Sequence, residues 1–152
     1  MVSNLKFNYG DQFRGEIILD QLGFVYVAST TRSADFPTVG AAQGALNGLQ
    51  DAVVFKMTSN LSSMVWSTFY GGSGAESGNA VELSSTGDIY MVGGTESSNI
   101  NIFGGHDVSY AGDRDGYITR FSGFNGAVLA GSFIGETEYD QAYFVQLDLD
   151  DK

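Results

Sequence analysis

The side chains of this chain best suited to chemistry are carboxylates, and they fall in a few tight groups. Asp107 precedes the run Asp113-Arg114-Asp115-Gly116, and Glu136, Glu138 and Asp140 alternate within one short stretch. Oxygen ligands at alternating positions are what a calcium loop requires, but a full EF-type loop also needs a late Glu. After Asp115 the chain runs into Tyr117, Thr119 and Phe121, a strand-like pattern that supplies no such ligand. The metal-ligand candidates are therefore Asp113, Asp115, Glu136, Glu138 and Asp140, with calcium as the cation to consider. The structural alternative is that these are turn carboxylates accepting backbone N–H groups, which Asp does well. Asp51 and Asp115 both stand just before an apolar run, and that recurrence favours the structural role. Asp148, Asp150 and Asp151 read as a solvated acidic end.

Other chemistry finds little support. Two carboxylates at a defined separation hydrolyse glycosides, but flanking residues single out no pair. His106 is the one histidine, in a Gly-Gly-His-Asp loop, and reads as a surface residue. There is no cysteine, which excludes disulfides, thiolate metal sites and cysteine nucleophiles. Gly71-Gly72-Ser73-Gly74 is followed by neither Lys nor a helical pattern, so it is no phosphate loop. No Gly-x-Ser-x-Gly elbow occurs. No catalytic set and no cofactor site is assigned. Trp66, Tyr26, Tyr90, Phe69 and Phe133 lie in strand-like runs and read as core. Phe36, Phe103, Tyr110 and Tyr139 lie in loops and are the aromatic candidates for ligand contact.

The chain carries 18 acidic and seven basic residues, for a net charge of −11. Phosphate backbones are bound by Lys and Arg, so nucleic acid is not an expected partner. No apolar run approaches the roughly 20 residues of a membrane helix, and the sequence MVSNLKFNYG lacks the apolar centre of a signal peptide. The expectation is a cytosolic protein or a piece of a longer exported one. Apolar residues make up 43% of the chain, enough for a core, and 21 glycines with one proline fit short strands joined by tight turns.

What must position these residues is a repeat. Slid by 64 residues without a gap, the sequence meets itself. Leu19, Gly23, Tyr26, Thr31, Ser33, Gly40, Gly48, Asp51, Phe69, Gly71, Val81 and Leu83 fall on identical residues from Leu83 to Leu147. Such a period is the mark of repeat architecture. Each copy holds four strand-like segments. They are Glu16–Asp20, Phe24–Ser29, Ala52–Met57 and Met64–Tyr70, then Ala80–Leu83, Asp88–Gly93, Gly116–Phe121 and Ala127–Ile134, all rich in β-branched or aromatic residues. Gly23 and Gly87 share one turn position and predict a positive φ there. Val39–Gln50 has room for one short turn of helix. Trp66 and Phe69 have opposite parity, so both faces of the sheet carry an aromatic and both read as buried. Four-stranded sheets covered on both sides by like sheets are the blades of a β-propeller.

The predicted fold is therefore all-β: antiparallel four-stranded propeller blades on the 64-residue repeat. The expected divisions are a last strand of a preceding blade in 1–14 (Leu5–Tyr9), a first blade in 15–78, a second in 79–142 and the start of a third in 143–152 (Tyr143–Leu147).

Several segments resemble the bacterial β-propeller repeat often called SBBP. They are Trp66-Ser67-Thr68-Phe69-Tyr70-Gly71-Gly72, Gly87-Asp88-Ile89-Tyr90-Met91-Val92-Gly93, Thr31-Arg32-Ser33-Ala34-Asp35-Phe36-Pro37 and Asp51-Ala52-Val53-Val54-Phe55-Lys56. The second copy departs from the pattern at Asn99-Ile100-Asn101 and Ala130-Gly131-Ser132. The resemblance implies large exported proteins of the bacterial cell surface, with repeats beside adhesive or sorting domains, and implies no fixed catalytic residues. Propellers close with about four to eight blades. Two blades leave two outer faces of roughly 320 Å² each, so the expected partners are missing blades or further copies of the chain. The leading functional expectation is a structural or binding module for protein or glycan. The rivals are part of an enzyme acting on polysaccharide, and a ligand-free spacer in a surface filament.

Overall fold

A computed structural model describes residues 15–148. The first strand expected in 1–14 and the acidic residues Asp150 and Asp151 lie outside that range. Eight strands follow in order: β1 Glu16–Leu19, β2 Val25–Thr31, β3 Asp51–Met57, β4 Met64–Tyr70, β5 Glu76–Leu83, β6 Ile89–Thr95, β7 Asp115–Phe121 and β8 Val128–Ile134. They form two antiparallel sheets, β1-β2-β3-β4 and β5-β6-β7-β8. Each strand coincides with an expected segment. β5 begins four residues earlier than its apolar pattern suggests, because a bulge between Gly78 and Ala80 breaks the alternation while pairing continues back to Glu76.

The 64-residue register holds at the level of single hydrogen bonds. Ser67 N donates to Val39 O at 2.9 Å, and Gly131 N to Phe103 O at 2.8 Å. Phe69 N donates to Gln43 O at 3.1 Å, and Phe133 N to Asp107 O at 2.9 Å. Both copies bulge late in the third strand, at Lys56/Met57 and at Arg120/Phe121. Gly23 and Gly87 have φ of 80° and 86°, the left-handed values their shared turn position predicts. The long segment between second and third strands does the same work in both copies: its backbone bonds the outer edge of β4 or β8. That leaves fewer open backbone groups on an edge strand. No helical turn forms in Val39–Gln50, since its backbone groups are drawn to β4 and to Asp51 instead.

The two sheets pack face to face, through opposite faces. Tyr26, Ala28, Ala52, Val54, Trp66 and Tyr70, on the even-numbered face of the first sheet, meet Ile89, Met91, Tyr117, Phe121 and Phe133, on the odd-numbered face of the second. Tyr70 carries most of the specificity. Its ring meets Tyr117 and Phe121 with centroids 5.5 and 5.2 Å away. Its hydroxyl donates to Asn101 O at 2.9 Å and accepts from Thr119 Oγ1 at 2.7 Å. Tyr70→Phe keeps the ring and strands both partners, so it is expected to cost about 1–3 kcal/mol, read from the urea midpoint.

Because the faces used are opposite, each sheet keeps one outer face. Ile17 is 60% exposed, whereas Val81, its equivalent in the second sheet, is 0% exposed. Ile134 is 47% exposed and its equivalent Tyr70 only 2%. Residues 141–148 form no strand. Ala142 N donates to Gly93 O, and Asn79 Nδ2 to Ala142 O, so the segment lies on the second sheet much as β5 lies on the first. Among the described residues no strand pairs with its expected strand, Tyr143–Leu147.

The Thr58–Ser63 turn holds Leu61 at φ 59°, the one left-handed non-glycine among the described residues. A left-handed L-residue costs roughly 1–2 kcal/mol, against a glycine entropy cost of about 0.5–1 kcal/mol. Leu61 is exposed, so Leu61→Gly is expected to raise the urea midpoint slightly and not lower it.

Candidate functional site

The carboxylates gather at one end of the sheets, where β3, β5 and β7 begin and β2, β4, β6 and β8 end. Asp51 opens β3 and is fully buried. Its Oδ2 accepts from Gln43 Nε2 at 2.7 Å and Asn47 N at 2.9 Å. Asp115 opens β7, and its Oδ2 accepts from Ala111 N at 2.9 Å, which is the Asn47 bond repeated 64 residues on. These are the turn carboxylates that the recurrence suggested. Each, however, keeps a buried Oδ1 with no hydrogen-bond partner.

Glu76 is the residue that sequence reasoning missed. It is fully buried at the start of β5. Gly72 N donates to its Oε2 at 2.6 Å, while Thr95 Oγ1 and Ser97 Oγ donate to its Oε1 at 2.8 and 2.6 Å. The signal was available: 64 residues on stands Asp140, whose Oδ2 accepts from Glu136 N at 2.9 Å, the same bond as Gly72 to Glu76. Ser97 Oγ also accepts from Gly74 N, and Asn99 Oδ1 from Ser73 N. The connection between the sheets, residues 71–76, is thus held by the segment after β6 and, through Leu49 N to Gly74 O and Glu76 N to Gln50 O, by the segment before β3.

Asp51 and Glu76 meet across Gly71. A methyl group on Gly71 would collide with Asp51 Oδ1 and with Glu76 Oε2, so glycine is required for these two carboxylates to share the space. Burial, above all, pushes both carboxyls upward, and the charge of Asp51 raises Glu76 further.

The residues proposed as metal ligands are brought together in part. The loop before β7 touches the turn after β8: Asp140 N donates to Arg114 O at 2.7 Å, and a side chain on Gly112 would run into the carbonyls of Glu136 and Glu138. The side chains diverge in environment. Asp115 is buried, Asp113, Glu136 and Glu138 are exposed, and Asp140 is half-buried. Among the described residues no group of three or more His, Cys, Asp or Glu side chains is placed to hold a metal ion. Arg114 instead pairs with Glu96 at 2.5 Å and lies over the Tyr139 ring. In the first copy Gln50 takes the place of Arg114 and accepts from Arg32, which takes the place of Glu96.

The aromatic candidates divide too. Trp66, Tyr26, Phe69 and Phe133 are core. Phe36 packs on Phe55 and Phe69, and Tyr110 on Phe133, so these two loop aromatics extend the core. Phe103 and Tyr139 remain exposed, as does His106.

No protein-family model matches the chain, and a search of curated proteins finds no match.

Proposed function

We propose that the two sheets are adjoining blades of a β-propeller, and that the chain is a structural and binding module of a bacterial cell-surface protein. The observation that carries this reading is the stacking of two equivalent sheets through opposite faces. Such stacking propagates: whatever rule seats the second sheet on the first also asks for a sheet before and a sheet after. The resemblance to SBBP repeats supplies the extracellular setting. The partners on the outer faces are further blades or further copies of the chain. Protein or glycan binds at the loop end that carries Tyr139 and the acidic side chains. No cofactor is invoked, and added calcium is expected to leave the melting temperature unchanged and to give no titration heat.

The deep carboxylate pair Asp51 and Glu76 supports a structural reading over a glycosidase one, since neither side chain reaches solvent to meet a sugar. The test is to apply the labelled chain to arrays of glycans and bacterial surface proteins, and to assay released reducing ends in parallel. Binding without turnover supports the module. Turnover establishes the polysaccharide enzyme instead, and no binding at all establishes the spacer.

A further inference from the structure

We propose that Asp51 and Glu76 act as a proton-operated latch on the connection that joins the two sheets. The latch is closed while the pair holds a proton and loosens when both carboxylates are ionised.

The geometry sets up the conflict. Two fully buried carboxylates face each other across Gly71, close enough that one added methyl would touch both. Glu76 accepts three hydrogen bonds and Asp51 two, yet Asp51 Oδ1 has no donor. The groups that donate to the pair among the described residues are all neutral. Gln43 and Asn47 face Asp51, Thr95 and Ser97 face Glu76, and the phenols of Tyr70 from β4 and Tyr117 from β7 lie nearby. Burial holds both phenols in the neutral form far into alkaline pH. Of the arginines at this corner, Arg114 is committed to Glu96, and Arg32 donates to Gln50, whose own amide donates to the Glu76 carbonyl. A proton on either carboxyl removes a like-charge contact in a dry site.

The position gives the proton a structural consequence. Glu76 Oε2 holds Gly72 N, and Glu76 Oε1 holds Ser97, which in turn holds Gly74 N. Glu76 therefore fastens the 71–76 connection to the second sheet. In the next copy the equivalent residues are Asp115 and Asp140, and there Asp140 is only half-buried.

The direction follows from linkage. A carboxyl whose folded-state pKa is raised contributes stability that is complete below its ordinary value, 4.5 for Glu76 and 3.8 for Asp51, and that is lost as pH rises through the folded-state value. Each unit of elevation is worth roughly tenfold in the folded-to-unfolded ratio. An ordinary histidine and an α-amino group also ionise near neutral pH, so over the window from the ordinary carboxylate values up to about pH 8 the pair is reported by the part of the slope that the carboxamide variants lose.

The test is thermal unfolding of the full chain over that window for the native protein, Glu76→Gln and Asp51→Asn, together with a carboxyl-carbon NMR titration of the native protein. The expected result is a melting temperature that falls with rising pH in the native protein, a flatter profile in either variant, and a Glu76 carboxyl that titrates above the ordinary range. Asp51→Asn serves if Glu76→Gln fails to fold. A flat native profile, a slope that both variants retain, or a Glu76 carboxyl already ionised at about pH 5 would each overturn the latch.

Discussion

Trp66→Ala is expected to lower the unfolding free energy by about 3–5 kcal/mol, the range for truncating a large buried aromatic. Trp66 is buried between the sheets and stands edge-on to Tyr26 with ring centroids 6.4 Å apart. Its indole Nε1 donates to Gly123 O at 3.1 Å in the opposite sheet. Lys56 reaches the same carbonyl at 3.2 Å, so one turn of the second sheet is anchored twice by the first. Gly126 completes the fit, since any side chain there would strike the indole ring. Truncation therefore removes packing on both sides of the joint at once. Urea denaturation monitored by circular dichroism measures the loss. A cost within about 0.5 kcal/mol, the level of an ordinary surface substitution, would mean that the indole does not sit between the sheets.

Glu76→Ala is expected to cost about 3 kcal/mol or more, because a buried donor left without an acceptor costs about 1–3 kcal/mol and three are stranded together. They are Gly72 N, Thr95 Oγ1 and Ser97 Oγ. Removing a buried acid that faces another carboxyl gives partial relief, which keeps the cost at the lower end of the sum. The damage is local to the 71–76 connection. Amide exchange at Gly72 and Gly74 should accelerate more than exchange in the middle of β3 or β7. Uniform acceleration everywhere would place Glu76 in general stability and not in the connection.

The strands were legible because the residues that make them speak locally. Val25–Thr31 and Ile89–Thr95 are rich in β-branched and aromatic side chains, and Gly23 and Gly87 mark the turns before them. Two things were hidden. The first is which face of each sheet meets its neighbour. Both faces of β4 carry an aromatic, Trp66 on one and Phe69 on the other, so alternation alone cannot choose. The second is the carboxylate pair. Asp51 was visible as a repeated turn acid, but Glu76 looks like any glutamate in a Gly-Ser-rich connection. Its depth depends on a bulge at Gly78 and on Ser97 and Thr95 arriving from another strand. Only its register with Asp140 carried a trace of the role. Phe36 and Tyr110 misled for the opposite reason. Aromatics in loops suggest ligand contact, but here the long loops fold back on their own sheets.

Contacts between aromatic protons across the joint offer the most direct measurement. In a nuclear Overhauser spectrum of the labelled chain, cross-peaks are expected between the rings of Tyr70 and Phe121, and between the Trp66 indole and the α-protons of Gly126. Absence of these peaks, with cross-strand peaks inside each sheet intact, would show two sheets that form but do not stack through opposite faces.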